Sequence, residues 1–176
     1  LDLGKLGAAL ANGIAFVSED RRGVGLLLDQ SIEHNLVFSA IHIQEEFLIN
    51  LKLLKLYHRS KARKHAQKMI KLLDIRCTGP AQKLGSLSGG NQQKVCLARA
   101  LTLNPKILIV SEPTRGIDIG AKKLVLEYLL ELNRQQGMMI IIISSELVEL
   151  IADGKVARIM EPDAPDAEFG LAMSGN

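Results

Sequence analysis

The sequence predicts an α/β fold built around a parallel sheet. Two short apolar runs, Lys106–Val110 and Met138–Ser144, have the length and composition of strands buried in a sheet. The stretch between them, Gly120–Gln136, has the apolar spacing of an amphipathic helix. Strand, helix and strand in this order are typical of a crossover between parallel strands, so we expect a parallel sheet covered by helices.

The composition limits the class of protein. The chain has 176 residues, of which 47% are hydrophobic and 3% aromatic, so it can form one domain with a real core but offers few rings for stacking on nucleic-acid bases. Its net charge of +3 steers no particular partner. Cys77 and Cys96 lie in unlike contexts, and we interpret both as reduced thiols of a cytosolic protein. No secretory signal pattern is visible, and Met138–Ile143, the longest apolar run, is too short to span a bilayer.

The first half of the chain contains further predicted elements. Gly13–Ser18 has the composition of a strand, and the preceding residues 6–12 are helix-like. A short helix is predicted over Ser31–Ala40, with Ser31 as a possible cap. Residues 44–57 are rich in leucine and are also predicted to be helical. Arg59–Asp74 is a clear helix, because its apolar residues fall on one face: Ala62, Ala66, Met69, Ile70 and Leu73.

The second half alternates helices with the two buried strands. A glycine-rich turn at Leu87–Gly90 opens a helix that reaches about Thr102 and ends at Asn104–Pro105. We expect the helical stretch 31–103 to form a lobe of its own, inserted into an α/β domain that extends over residues 1–160.

The C-terminal part has weaker patterns. Residues 146–152 are predicted as a short helix and Lys155–Met160 as a last strand. A tail with little periodicity occupies residues 161–176.

The strongest chemical signal is the turn Ser88–Gly90. Two glycines at a helix start allow the backbone to approach a ligand closely, and a helix N-terminus offers N–H groups and partial positive charge to an anion. The Ser88 hydroxyl could bind a phosphate oxygen. The alternative is an ordinary capped helix, since serine is a favoured N-cap, and for a serine-glycine turn taken alone this alternative is the more common one.

A second signal lies at the end of the strand Lys106–Val110. The strand delivers Glu112 to its carboxyl end, where ligands of α/β sheets bind and where a carboxylate can polarise a water for attack on phosphate. A solvated glutamate is the alternative. Asp118 lies in the next turn, where a helix cap is equally natural. Ser145, after the following strand, is by itself only a helix cap.

A basic stretch runs from Lys52 to Lys71, with eight Lys or Arg and no acidic residue. It could meet anionic lipid or nucleic acid, but we favour the solvated face of an amphipathic helix. The four histidines have no ligand spacing with carboxylates or cysteines, so no metal site is predicted.

The order and spacing of these signals resemble those of one family. LSGGNQQKVCLARAL is similar to the signature motif of ATP-binding cassette (ABC) proteins, and KILIVSEPTRGID resembles the Walker B strand and D-loop that follow it. GIAFVSEDRRGVGLLLDQSIEHNL is similar to the region after the Walker A helix in the second cassettes of ATPases that drive bacterial monosaccharide importers, of the ribose, xylose and galactose type. The resemblance implies a P-loop NTPase-like ABC ATPase domain with an inserted helical subdomain.

The resemblance also implies roles for single residues. Ser88, Gly89 and Gly90 would contact the γ-phosphate of ATP held by an opposite cassette, and Gln92 of the same motif would also be a nucleotide-binding residue. Glu112 matches the catalytic glutamate. The remaining matches are Asp118 to the D-loop aspartate, Glu19 to the Q-loop glutamine and Ser145 to the switch histidine.

The sequence departs from the family pattern in several places. No G-x-x-x-x-G-K-[ST] phosphate-binding loop occurs in the chain, and we expect that segment to precede residue 1. Ser111 stands where the family has the Walker B aspartate, which weakens the expected Mg²⁺ site. Glu19 and Ser145 also differ from the consensus. The prediction is therefore a poorly hydrolytic cassette with an intact signature loop.

As function, the resemblance implies the ATP-binding subunit of a sugar importer at the cytoplasmic face of the membrane. Its cofactors would be ATP and Mg²⁺. Its partners would be another ABC ATPase domain, membrane-embedded permeases and, indirectly, a periplasmic sugar-binding protein. The alternative is a soluble ABC-type ATPase that acts on nucleic acid or ribosomes through the basic stretch.

Overall fold

The fold is described from a computed structural model of the chain, which describes residues 6–18, 20, 25–51, 54–145, 151–152 and 155–156. The described elements alternate between helices and short strands. In chain order they are α1 (Leu6–Ala11), β1 (Ile14–Val17), α2 (Ile32–Gln44), β2 (Leu48–Leu51), β3 (Leu54–Tyr57), α3 (Arg59–Leu72), a 3₁₀ turn (Leu84–Ser86), α4 (Gly89–Thr102), β4 (Ile107–Ser111), α5 (Ile119–Gln136), β5 (Met139–Ile143), β6 (Ile151–Ala152) and β7 (Lys155–Val156).

The central sheet confirms the predicted parallel α/β architecture. It contains three parallel strands in the order β1–β4–β5, and α5 makes the crossover between the last two. Leu108 and Val110 of the middle strand are fully buried. The register pairs Ser111 with Ile143, which places the carboxyl ends of β4 and β5 side by side. Residues that follow these two strands therefore meet at one edge of the sheet.

Three helices form most of the remaining core. α2 packs against both α3 and α4, and α4 also contacts β1. Each buries a face of small or branched side chains, because apolar residues recur at helical spacing. The face predicted for α3 is confirmed, with Ala62 and Ala66 fully buried. The 31–103 lobe stays a prediction, and the tail 161–176 lies outside the described residues.

The prediction of a helix over 44–57 is wrong. This stretch forms the antiparallel ribbon β2–β3, with Ile49 opposite Leu56 and Leu51 opposite Leu54. The chain leaves α2 through Glu45 and Phe47, both with positive φ. Non-glycine residues seldom adopt that conformation, so the end of the helix at this point could not be predicted from the residue types.

Two expectations for the C-terminal strands also need correction. β5 is less buried than its composition suggests, since the side chains of Met139 and Ile143 at its ends are 46% and 54% exposed. Ile151–Ala152, the end of the predicted helix 146–152, is a strand paired antiparallel with Lys155–Val156. Residues 146–150 lie outside the described part.

Candidate functional site

The start of α4 is the first part of the candidate site. Ser88 occupies the N-cap position with extended backbone angles, but its side chain makes no capping hydrogen bond. Its hydroxyl instead accepts a hydrogen bond of 2.9 Å from the Asn91 side-chain amide. Ser31 and Asp118, by contrast, each accept a backbone N–H of the helix they start. The alternative expected for Ser88, a conventional serine cap, is therefore not what the structure contains.

Gly90 is fixed by close packing within the chain. A β-carbon at this position would lie 2.8 Å from the Gly116 carbonyl oxygen and 3.3 Å from the Ile117 α-carbon. No side chain fits that space without movement of the backbone. The first turn of α4 is thus pressed against the loop that follows β4, a contact that the sequence did not reveal.

Two buried glutamines hold this first turn in place. Gln92 is 4% exposed, and its amide donates to the Leu87 carbonyl at 3.0 Å. Its predicted contact with nucleotide stays a prediction, which this inward placement does not favour. Gln93 is 1% exposed and donates to the Glu112 main-chain carbonyl at 3.2 Å. Sequence reasoning gave Gln93 no role, yet it joins the helix start to the strand end.

The second part of the site is Glu112, the residue after β4. Its backbone N–H donates to the Ile143 carbonyl at 2.8 Å, and its φ of 49° is in the left-handed region. Such a conformation is costly for a residue with a β-carbon and persists only where the surroundings enforce it. Here the ladder to β5 and the bond from Gln93 hold the backbone.

The Glu112 carboxylate is bound by the residues that follow β5. The Ser145 backbone N–H donates to it at 2.6 Å. This N–H and the hydroxyls of Ser145 and Ser144 bind the charged form, and together with the positive charge of Arg115 they hold the pKa of the carboxyl below its ordinary value. Glu112 is therefore ionised at neutral pH and is a weaker base than an ordinary glutamate.

The other predicted site residues are more peripheral. Asp118 is exposed, and its carboxylate accepts the Ala121 N–H at 3.0 Å, as a helix cap does. Glu19 lies outside the described residues. Ser111 ends β4 and brings no charge. Within the described residues, no group of three or more His, Cys, Asp or Glu side chains could hold a metal ion. Among the residues that the structure describes, the Ser111 hydroxyl and the engaged Glu112 carboxylate do not by themselves fit a Mg²⁺ site.

The family follows from a direct comparison. The family model described as "ABC transporter" matches residues 7–115, which include β1, α4 and most of the loop after β4. The chain belongs to the ABC transporter family. This confirms the resemblance read from the signature and Walker B motifs.

Curated relatives refine the comparison. The chain is similar to the ribose import ATP-binding protein RbsA of Halalkalibacterium halodurans, with 41% identity over 88% of this chain and 31% of the relative. It is also similar to the ribose import ATP-binding protein RbsA of Geobacillus kaustophilus, with 40% identity over 96% of this chain and 35% of the relative. The chain thus spans about a third of the length of these relatives.

Solved structures support the fold. The ATP-binding cassette MJ0796, in a dimeric post-hydrolysis state bound to ADP and Pi, matches with a TM-score of 0.70 and 23% identity over 90% of this chain and 66% of that one. A second dimeric structure of MJ0796 gives a TM-score of 0.67 and 24% identity, with the same coverage. ABC ATPase architecture is therefore established for this chain. In the described part, none of the helices has the length and apolar character needed to cross a bilayer.

Proposed function

We propose that this chain supplies the signature half of a composite ATP site in the ATP-binding subunit of a bacterial monosaccharide importer. Ser88, Gly89 and Gly90 contact the γ-phosphate of ATP that another cassette holds. Asp118 lies at the same interface between cassettes. The observation that carries the proposal is Ser88, which occupies an N-cap position without capping its helix. A side chain released from its usual local role is available to an anion at the helix N-terminus.

The surroundings of Ser88 support this role. Gly90 packs on Gly116 and Gln93 bonds to the Glu112 carbonyl, so the turn is fixed before any ligand arrives. A fixed donor at the position of phosphate charge needs no reorganisation on binding. The importer assignment rests on the names of the relatives, which are ribose import ATP-binding proteins.

The residues that would act on a nucleotide bound by this cassette itself are less suited to binding Mg²⁺ and to accepting a proton. Ser111 gives Mg²⁺ no carboxylate, and Glu112 has a lowered pKa. Mg²⁺, when bound with ATP, would neutralise phosphate charge, and its protein ligands would have to come from outside the described residues. We infer that Glu112 orients a water molecule and is a poor proton acceptor. Glu19 and Ser145 complete the predicted set, and Ser145 acts through its bonds to Glu112.

The proposed assembly follows from the same family membership. The ATPase partner is a second ABC domain that carries a phosphate-binding loop, and the pair docks on transmembrane permeases served by a periplasmic sugar-binding protein. The chain would lie peripherally at the cytoplasmic face of the membrane. The nucleic-acid alternative has no support from the named relatives.

A chimera tests the proposal. The aligned segment of the Halalkalibacterium relative would be replaced by the matching part of this chain, and ATP hydrolysis would be measured. Ser88→Arg should reduce hydrolysis by about 100-fold or more, because a large cation replaces a positioned donor at the phosphate. Ser60→Arg, at an exposed position of α3, is the matched control and should leave hydrolysis unchanged. Equal activity of the two variants would overturn the proposal.

A further inference from the structure

The β2–β3 ribbon has one apolar face that no described part of the chain covers. Cross-strand pairs put Ile49, Leu51, Leu54 and Leu56 on the same face, because directly opposed residues point to the same side. These side chains are 41%, 51%, 64% and 48% exposed, respectively. Single exposed leucines are common on proteins, but four on one small face indicate an interaction surface.

The opposite face of the ribbon makes contacts with both ends of α2, at Glu33 in its first turn and at its C-cap Glu45. Lys55 forms an ion pair with Glu45, and the Tyr57 hydroxyl donates to the buried Glu33 carboxylate at 3.4 Å. The ribbon is therefore held on the protein by one face, and the apolar face is left outward.

The helix that follows the ribbon adds positive charge. Lys64, Lys68 and Lys71 share one face of α3 at i, i+4 and i+7, opposite the buried Ala62 and Ala66. All three are exposed, and no carboxylate of the described residues lies within ion-pair distance of them. Neither α3 nor the ribbon contains an acidic residue. The basic face predicted from the sequence is thus real, and it directly follows an apolar surface.

We propose that the apolar face of β2–β3 and the basic face of α3 together bind the surface of an anionic lipid bilayer. Apolar side chains that enter the interfacial region and lysines that meet anionic headgroups are the two components of peripheral membrane binding. A second copy of the chain fits less well, because two copies joined through this surface would bring their lysine faces together. The inference goes beyond the proposed function and does not depend on the ATP site.

Vesicle co-sedimentation of the chain tests the proposal. The vesicles are phosphatidylcholine alone, and phosphatidylcholine containing one third phosphatidylglycerol. The chain should bind the anionic vesicles and leave the neutral ones largely unbound. Lys64→Gln with Lys68→Gln should weaken binding by roughly 30-fold, since each lysine near an anionic surface contributes about fivefold. Leu51→Asn with Leu54→Asn should weaken it by about tenfold or more.

Matched controls distinguish the loss of the proposed binding surface from a general loss of charge or of folded structure. Lys106→Gln with Lys123→Gln removes the same charge from other exposed positions and should retain binding. Far-ultraviolet circular dichroism of the leucine variant should match the parent, because both positions are exposed. Equal binding to both kinds of vesicle, or binding that the leucine and Lys64/Lys68 variants leave intact, would overturn the proposal. Dimerisation in place of vesicle binding, abolished by the leucine variant, would assign the face to a second copy and equally overturn it.

Discussion

The starts of α4 and α5 look alike in sequence and in backbone but are stabilised differently. Ser88 has φ and ψ of −61° and 156°, and Asp118 has −68° and 155°. Asp118 caps its helix with its own carboxylate, whereas Ser88 does not cap and α4 is held by Gly90, Gln92 and Gln93. A favoured N-cap residue is therefore no guarantee of a cap. Where packing already fixes a helix start, the capping side chain becomes available for a ligand.

The largest expected effect comes from Gln93. Gln93→Glu places a carboxylate at a position that is 1% exposed and removes the donor to the Glu112 carbonyl. The Gln93 side-chain oxygen already has no hydrogen-bond partner among the described residues, and the variant puts a second oxygen beside it. We expect the free energy of unfolding to fall by about 3 kcal/mol at neutral pH, because the buried charge is unpaired. The measurement is urea denaturation followed by circular dichroism.

The pH dependence of this variant sharpens the test. Burial raises the pKa of the introduced carboxyl in the folded state, so the folded state holds its proton up to a higher pH than the unfolded state. The loss should therefore be small in acid and should grow as the pH rises above the ordinary carboxyl range. Gln67→Glu, at an exposed site on α3, is the control and should change stability by less than about 0.5 kcal/mol. A similar loss in both variants would contradict the account.

Gly90 should give the next largest effect. Gly90→Ala forces a β-carbon to 2.8 Å from the Gly116 carbonyl oxygen and should cost about 1–3 kcal/mol of unfolding free energy. Gly120→Ala is the matched change at the start of α5, where the nearest atom is 3.6 Å away. It should be neutral or stabilise slightly, because alanine favours helix. Thermal and urea unfolding measure the stability of both variants. Equal changes in the free energy of unfolding for Gly90→Ala and Gly120→Ala would contradict the close contact between Gly90 and Gly116.

Asp118 should contribute to the free energy of unfolding as much as an ordinary N-cap residue does. Asp118→Ala should lower the free energy of unfolding by about 1 kcal/mol, because the Ala121 N–H loses its acceptor. Asp118→Asn keeps a capping oxygen and should retain most of the stability. Equal losses in the two variants would assign the effect to charge and not to the cap.

Ser88 should show the smallest effect on stability. Ser88→Ala removes a hydroxyl that caps no N–H and should change the free energy of unfolding by less than about 0.5 kcal/mol. The same urea titration applies to it and to Asp118→Ala. A loss at Ser88 as large as that at Asp118 would remove the distinction between the two helix starts.

Much of the fold could be predicted because periodicity reports burial directly. The runs that became β4 and β5 and the apolar stripes of α3 and α5 carry that signal. The stretch 44–57 was predicted wrongly as a helix because its leucines suit a helix as well as a β-ribbon. The helix ends because Glu45 and Phe47 adopt positive φ, which the residue types do not indicate.

The candidate site could be predicted only in part. The motifs identified Ser88 and Glu112 as separate residues but did not show which residues they contact. The hydrogen bond between Ser145 and Glu112, for example, joins residues that are 33 positions apart in the chain. It depends on the register that pairs Ser111 with Ile143, which local pattern does not determine. The same holds for Gly90 and Gly116, whose contact exists only once α4 is docked.

The most direct test of the central claim compares two nucleotides. In the chimera described above, the dissociation constants of a non-hydrolysable ATP analogue and of ADP would be measured with Ser88 and with Ser88→Ala. If Ser88 contacts the γ-phosphate, the variant should bind the ATP analogue roughly tenfold or more weakly, as expected for a hydrogen bond to a charged group, and bind ADP unchanged. Equal weakening for both nucleotides, or no change for either, would contradict the claim.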